Sequence, residues 1–340
     1  MNPGEYAGCQ VRVRCRKARC VLPYTHQHRG YHSMSSLNRR QILSTGLASA
    51  AAACLPFSAK SALGQPEALV GSGSGQSSPA AAKTPIKRKG RIQQSVSRWC
   101  YSKISLDDLC VAAVQMGLKA IDLLQPDEFE VPRKYGLICS MGYVGAGDIP
   151  HALNRVENHD AIEAALRKNL PAAVKAGVPN VITFSGNRAG MSDEEGAKNC
   201  ILGLKRLKPI MEDTPVILNM ELLNSKHDHH DYMCDHTDWG VRVVSEVNSP
   251  NIKLLYDIYH MQIMEGDLVA TIRANHQWLG HFHTGGVPGR HELDGSQEVN
   301  WAAVMEGIAS TGYKGYVAHE FVPTRDPLTS LREAVDLCDV

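Results

Sequence analysis

The chain has 340 residues, of which 43% are hydrophobic and 21% are charged, a composition typical of a folded globular protein. The formal net charge is +1, yet the basic residues are concentrated at the N-terminus, with nine against one acidic residue in 1–63. Residues 91–340 contain 23 basic and 33 acidic residues, a net charge of −10. This balance excludes nucleic acid as the main partner, because phosphate binding needs a basic face, and it favours a bound cation.

The N-terminal region has the layout of an export signal. Arg39 and Arg40 precede an apolar, Ala-rich run over 42–56, and small residues follow it. Paired arginines before such a run are typical of the twin-arginine export route. The run is too short and too rich in Ala for a stable membrane span. We therefore predict that 1–63 is a twin-arginine-type signal region and that the protein is exported to the periplasm.

Three further predictions concern the same part of the chain. A signal normally begins close to its arginines, so we expect translation to start at Met34. We do not expect lipid attachment at Cys54, because Ala51 rather than Leu stands three residues before it. Residues 64–90 are rich in Gly, Ser, Pro and Ala, which predicts a disordered, flexible linker.

From residue 91 onward, short β-rich runs alternate with longer helical patterns. Strands are predicted at 92–97, 118–124, 136–143, 180–184, 216–222, 252–257, 278–284 and 315–321. Helices are predicted at 106–116, 126–134, 159–176, 193–211, 234–247, 267–274, 301–310 and 327–337. Eight such units in about 250 residues predict a (β/α)8 TIM barrel over 91–340. An open, doubly wound sheet is the alternative, although the first predicted strand lacks the Gly-rich turn that usually follows it there.

Four consecutive predicted strands end in residues that bind metal ions. Glu221, Asp257, His283 and Glu320 stand at the ends of strands five to eight. Neighbouring strand ends lie about 4.8 Å apart, and function in such barrels sits at this end, so these side chains are expected to converge. Three carboxylates and one imidazole favour Mn²⁺, Mg²⁺ or Co²⁺ as the cofactor.

Other polar residues surround these strand ends. Arg290, in a Gly- and Pro-rich loop after strand seven, is a candidate for holding a substrate oxyanion, or else a surface arginine paired with Glu292. We expect only one of His281 and His283 to face the barrel interior, and His281 or His319 could be a hydrogen-bonded core histidine. The run Lys226-His227-Asp228-His229-His230-Asp231 is interpreted as a mobile lid rather than a metal site.

Several segments resemble the hydroxypyruvate isomerase family, a branch of the xylose-isomerase-like TIM barrels. The resemblance spans about 91–330 and rests on FSGNR at 184–188, MELLN at 220–224, YDIYHMQ at 256–262, GRHE at 289–292 and EVNW at 298–301. It implies that Glu221 and Glu320 are catalytic and that Glu221, Asp257, His283 and Glu320 bind a metal ion. It also implies that His260 and Arg290 contact the substrate. Some members have Gln where this chain has His283.

The chemistry expected of such a site is proton transfer next to a carbonyl group. One glutamate would remove a proton beside the carbonyl and the other would return it to the neighbouring carbon. The expected activity is that of an intramolecular oxidoreductase on a small hydroxy-carbonyl compound, with hydroxypyruvate converted to tartronate semialdehyde. A sugar epimerase or isomerase, a keto-glycoside lyase and a non-catalytic sugar-binding barrel are the alternatives. The sequence leaves open whether the chain forms a homo-oligomer.

Overall fold

The computed structural model describes residues 87–340, which form one closed barrel of eight parallel strands. Each strand pairs with the next one along the chain, and β1 pairs with β8. The closure confirms the predicted TIM barrel and excludes the open sheet. The strands are β1 (Gln93–Ser97), β2 (Ala120–Leu124), β3 (Ile138–Ala146), β4 (Asn180–Thr183), β5 (Ile217–Leu222), β6 (Ile252–Asp257), β7 (Leu279–Thr284) and β8 (Tyr316–His319).

Eight α-helices lie between or after these strands within residues 87–340. They are α1 (Leu106–Met116), α2 (His159–Ala176), α3 (Asp193–Glu212), α4 (Thr237–Val247), α5 (Ile258–Met264), α6 (Leu268–Asn275), α7 (Trp301–Ser310) and α8 (Pro327–Leu337). Every residue of β2, β4 and β7 is buried, because helices cover the outside of the barrel and side chains fill its interior. This double burial explains why none of these three strands alternates between buried and exposed positions.

Two elements differ from the prediction. Residues 126–134 were predicted to be helical but form turns and a short 3₁₀ helix, Pro132–Tyr135, which Gly136 ends in the left-handed region at φ 74°. The short helix α5 was not predicted. It begins directly after β6, where the Asp257 carboxylate accepts a hydrogen bond from the Tyr259 backbone N–H at 2.8 Å and so caps the helix.

The predicted signal region and residues 64–86 of the predicted linker lie outside the described residues. The last linker residues, 87–90, contact the barrel, since Arg88 Nε donates to the Met116 carbonyl at 2.8 Å. Across 87–340, no helix is long and apolar enough to cross a membrane. The six cysteines of this range are unpaired thiols, and all but Cys100 are buried.

Candidate active site

The carboxyl ends of the last four strands bring four ionisable side chains together. Glu221 lies on β5, Asp257 ends β6, His283 lies on β7, and Glu320 follows the last residue of β8. One ligand atom from each lies within 4.8 Å of the others, and all four side chains are buried. The structure therefore places the predicted cluster at one point. Because the strands are parallel and paired in register, their last residues lie side by side at the carboxyl rim of the barrel.

The His283 imidazole has its two nitrogens in different surroundings. Its Nε2 is 2.9 Å from a carboxylate oxygen of Asp122, at hydrogen-bond distance. Its Nδ1 faces the cluster, 2.7 Å from Glu320 Oε2 and 3.4 Å from Glu221 Oε1, yet makes no hydrogen bond of acceptable geometry. A buried imidazole nitrogen without a hydrogen bond, aimed at three carboxylates, is a suitable donor set for a divalent cation.

Burial and mutual repulsion set the charges of the cluster. Burial raises the pKa of Glu221, and the nearby Glu320 carboxylate raises it further. Burial also raises the pKa of Asp257, to about 7, although Arg290 opposes this shift. For Glu320, burial is outweighed by His283 and Arg290, which hold its pKa below the usual range. Three carboxylates so close together need compensating positive charge.

Arg290 supplies part of that charge from the loop after β7. Its Nη2 lies 3.0 Å from Asp257 Oδ2 and 2.6 Å from Glu320 Oε2, so one guanidinium bridges two carboxylates. The guanidinium also packs over the rings of Trp99 and Tyr259, at 5.3 and 5.2 Å from their centroids. Arg290 itself has φ 59°, in the left-handed region. The loop thus holds a strained arginine against the cluster.

Arg290 is therefore not a surface arginine paired with Glu292, which was the alternative. Glu292 turns away and accepts hydrogen bonds from the Thr324 backbone and hydroxyl, the Arg325 backbone and the Ser330 hydroxyl, at 2.8–3.1 Å. Burial opposes ionisation of Glu292, but these hydrogen bonds prevail and lower its pKa to about 2. The carboxylate thereby ties the loop after β7 to the segment after β8.

His260, predicted to contact substrate, lies beside the cluster on α5. Its Nδ1 accepts the Asn224 side-chain amide at 2.6 Å, so the neutral ring carries its proton on Nε2. That nitrogen is 3.5 Å from Asp257 Oδ2 and has no hydrogen-bond partner. Burial lowers the pKa of His260 well below its usual value, which keeps the ring neutral. His260 is thus a neutral hydrogen-bond donor at the site.

The segment predicted to be a mobile lid is tied to the barrel by hydrogen bonds. The Asn224 side chain accepts from the backbone N–H groups of His227 and Asp228 at 3.0 Å each. The Asp228 carboxylate accepts from Asn224 and from the Tyr259 hydroxyl, at 2.7 and 2.8 Å. Within 87–340, no metal-binding cluster forms in this segment, and only His229 of it lines the central cavity.

A cavity of about 240 Å³ opens beside the cluster and has two unlike halves. The ends of β5 and β8 and the segments after β1, β5 and β7 supply polar groups, whereas the ends of β2 to β4 supply mainly apolar side chains. The lining residues are Trp99, Leu123, Tyr143, Ile149, Ile182, Phe184, Glu221, Leu223, His229, Arg290 and Glu320. A larger groove of about 460 Å³ between α2 and α3 has only exposed ionisable residues and no cluster of this kind.

The structure adds site residues that the sequence analysis did not identify. Trp99 donates its indole N–H to Glu320 Oε1 at 2.5 Å, and Asp122 contacts both His281 and His283. The expectation that only one of these two histidines faces the interior was wrong, since residues two apart on a strand share a face. A usable signal for Asp122 was its charge within the apolar run Ala120-Ile121-Asp122-Leu123-Leu124.

His319 has the role of a core histidine. Its Nε2 lies 2.8 Å from Gln94 Oε1, and its Nδ1 lies 3.2 Å from the Thr284 hydroxyl. Burial lowers its pKa to about 3, so the ring is neutral at physiological pH. His319 therefore fills the barrel interior and is separate from the cluster.

The fold and the cluster at its carboxyl rim define a sugar-isomerase-like barrel. A sequence model of the xylose isomerase-like TIM barrel family matches residues 132–339, and the chain belongs to this family. The described structure superimposes on a 3-keto-D-glucoside 4-epimerase from E. coli with a TM-score of 0.61 at 19% identity, covering 73% of this chain and 98% of that one. At this identity the likeness shows the fold alone.

Among curated proteins, the chain is similar to hydroxypyruvate isomerases. A putative hydroxypyruvate isomerase of Homo sapiens is 27% identical over 178 residues, which are 50% of this chain and 64% of that protein. The hydroxypyruvate isomerase of Escherichia coli is 24% identical over 234 residues, 65% of this chain and 89% of that protein. The chain thus spans just under two thirds of the human relative. The family resemblance expected from the sequence is confirmed.

Proposed function

We propose that this chain is an isomerase-type enzyme, an intramolecular oxidoreductase acting on a small hydroxy-carbonyl compound. The observation that supports it most is the convergence of Glu221 and Glu320 beside a cavity, with Asp257 and the unpaired Nδ1 of His283 at the same point. Relatives with related sequences are named hydroxypyruvate isomerases, which agrees with this chemistry.

The four clustered residues fit a divalent metal ion. Three carboxylates and the free imidazole nitrogen are hard and borderline donors, so we propose Mn²⁺, Mg²⁺ or Co²⁺ held by Glu221, Asp257, His283 and Glu320. When bound, such an ion supplies Lewis-acid stabilisation of the negative charge on the enediolate oxygens.

The protein residues then carry the proton transfer. We propose that one of Glu221 and Glu320 removes the proton from the carbon next to the carbonyl and that the other returns a proton to the adjacent carbon. Both carboxylates line the cavity, which gives each of them access to a substrate. His260 would donate its Nε2 proton to a substrate oxygen, while Trp99 and Arg290 hold Glu320 in place through its two oxygens.

Two substrates are favoured by different observations. Hydroxypyruvate is suggested by the names of the relatives, and its conversion to tartronate semialdehyde moves one proton from C3 to C2. A neutral ketose is favoured by the charge of the cavity. Arg290 already pairs with two carboxylates, and burial lowers the pKa of His229, so the described lining has no unengaged cation for a substrate carboxylate. A sugar epimerase or isomerase is therefore the second candidate.

Product analysis tests the proposal. The full chain is incubated with Mg²⁺ and either hydroxypyruvate or D-fructose, and products are identified by proton NMR and mass spectrometry beside Glu221→Gln and a chelator control. A product of unchanged mass that disappears in both controls is expected. Products whose masses sum to that of the substrate would instead identify a lyase. Binding of either compound without any product would favour the non-catalytic sugar-binding barrel.

We also propose export to the periplasm through the twin-arginine route, supported by Arg39, Arg40 and the apolar run that follows them. Cell fractionation of the native protein and of an Arg39→Lys, Arg40→Lys variant tests this. Retention of the variant inside the cell is expected, and equal export of both forms would refute the proposal.

A further inference from the structure

Asp122 occupies an unusual position for a charged residue. It lies on β2, is fully buried, and reaches the histidines of β7 across the barrel interior, with β1 and β8 between the two strands. Its Oδ2 lies 2.9 Å from His283 Nε2, and its Oδ1 lies 3.1 Å from His281 Nε2. The Ser140 hydroxyl also donates to Oδ1. Both carboxylate oxygens are therefore occupied by polar partners.

The backbone around Asp122 is shaped to allow this reach. The register between β2 and β3 shifts on both sides of Asp122, and Leu123 has φ 55°, in the left-handed region. Such bulges re-aim side chains, and a leucine in this conformation costs about 1 kcal/mol. The bulge lets Asp122 point into the barrel while the next residue, Leu123, lines the cavity. Strain of this kind is concentrated at functional sites.

We propose that Asp122 is a positioning residue, which holds the His283 proton on Nε2 and so leaves Nδ1 free to bind the metal ion. The inference rests on the proposed function for the identity of the bound group. An imidazole with its proton on Nδ1 has no lone pair to offer there, and a carboxylate only accepts hydrogen bonds. Asp122 therefore selects the tautomer and fixes the ring plane, while the Ser140 hydroxyl holds Asp122.

A second metal site at Asp122, His281 and His283 is the alternative, since these three side chains also lie within 4.8 Å of one another. Two observations favour positioning. The distance from His283 Nε2 to Asp122 is that of a hydrogen bond, and Ser140 already donates to the other oxygen. A metal ion there would need the nitrogen that the hydrogen bond uses.

The proton on His283 Nε2 is observed directly in the wild-type protein. Full-length protein labelled with ¹⁵N-histidine is recorded metal-free by two-dimensional ¹H–¹⁵N NMR, and the His283 signals are assigned with His283→Gln. A proton on Nε2 is expected. In the metal-free protein Nδ1 also carries a proton, because the surrounding carboxylates overcome the effect of burial and raise the pKa of His283 well above its usual value. Nε2 without a proton in the wild type would therefore overturn the proposal, and this result depends neither on a variant folding nor on metal binding.

Metal affinity is measured by calorimetric titration of Mn²⁺ into wild type, Asp122→Asn and Ser140→Ala. Loss of a carboxylate behind a ligating histidine typically weakens metal binding 10–100-fold, and we expect this for Asp122→Asn with less than a 5-fold change for Ser140→Ala. Unchanged affinity in Asp122→Asn would overturn the proposal. A stoichiometry of two Mn²⁺ ions per wild-type chain that falls to one in Asp122→Asn would also overturn the proposal, because Asp122 would then be a metal ligand. Absence of Mn²⁺ binding in the wild type would instead overturn the proposed metal-dependent function.

Discussion

Replacing Glu221 by Gln is expected to change stability in opposite directions without and with metal. Without metal, the Glu221 carboxylate is buried within 4.8 Å of those of Asp257 and Glu320. Two unit charges at that distance repel by about 3 kcal/mol at an effective dielectric constant near 20, and attraction to His283 at 3.4 Å offsets part of this. Burial and Glu320 raise the pKa of Glu221, so the net effect of its ionisation is destabilising.

The sign of the pH dependence follows from that raised pKa. A carboxyl whose pKa is higher in the folded state binds more protons there, so stability falls as pH rises above the pKa of an unfolded glutamate. Metal-free Glu221→Gln should therefore match the wild type near pH 4 and exceed its free energy of unfolding at pH 7, by no more than the repulsion of about 3 kcal/mol. Urea unfolding at both pH values measures this difference.

With bound metal, the wild type should become more stable than Glu221→Gln. An ion at 100 times its Kd adds about 2.7 kcal/mol, which is roughly 5–10 °C in Tm for a domain of this size. Glu221→Gln keeps three of the four donors and should gain less than about 2 °C under the same conditions. Exposed Glu157→Gln is the matched control and should retain the full shift. An equal metal-induced shift in Glu221→Gln and wild type would refute the reasoning.

Three other variants test the loop that carries Arg290. Glu292→Gln should lose about 3 kcal/mol at pH 7, because a pKa of about 2 means that ionised Glu292 stabilises the fold above the usual glutamate pKa. Its deficit in urea unfolding should shrink as pH falls below the usual glutamate pKa and close only as pH falls through about 2, and a pH-independent deficit would contradict this. Gly286→Ala places a Cβ 2.2 Å from the Glu292 carbonyl oxygen and should lower kcat/KM at least tenfold, whereas Gly295→Ala meets nothing within 4 Å and should not. Arg290→Lys keeps the charge but loses the planar guanidinium that binds two carboxylates. We expect kcat/KM to fall about 100-fold and metal affinity to change less than 3-fold. An unchanged kcat/KM would exclude a role for the guanidinium.

The fold was largely predictable because most barrel units combine a largely buried strand with an amphipathic helix. The elements that escaped prediction depend on local details. Residues 126–134 contain Pro126 and Pro132, which interrupt helical hydrogen bonding. Helix α5 begins directly after Asp257 and has only seven residues, so it is too short to show a helical period in the sequence.

The four clustered residues were predictable from one rule, that parallel strands present their last residues at the same rim. Their partners were not. His283 and Asp122 are 161 positions apart, and only the closed barrel with its bulge at Leu123 brings them into contact. Arg290 was identified as a candidate, but the sequence does not show that it pairs with Asp257 and Glu320 rather than with Glu292, because this depends on the backbone of its loop.

Solvent hydrogen exchange tests the central claim most directly, because it reports proton transfer whatever the final product is. Hydroxypyruvate and a set of neutral ketoses are each incubated in D₂O with Mg²⁺ and the full chain, and the recovered compounds are analysed by NMR. We expect deuterium at a carbon next to the carbonyl for at least one compound, and we expect it to be lost in Glu221→Gln and Glu320→Gln. Exchange that persists in both variants, or its absence from every compound shown to bind, would contradict proton transfer by these two glutamates.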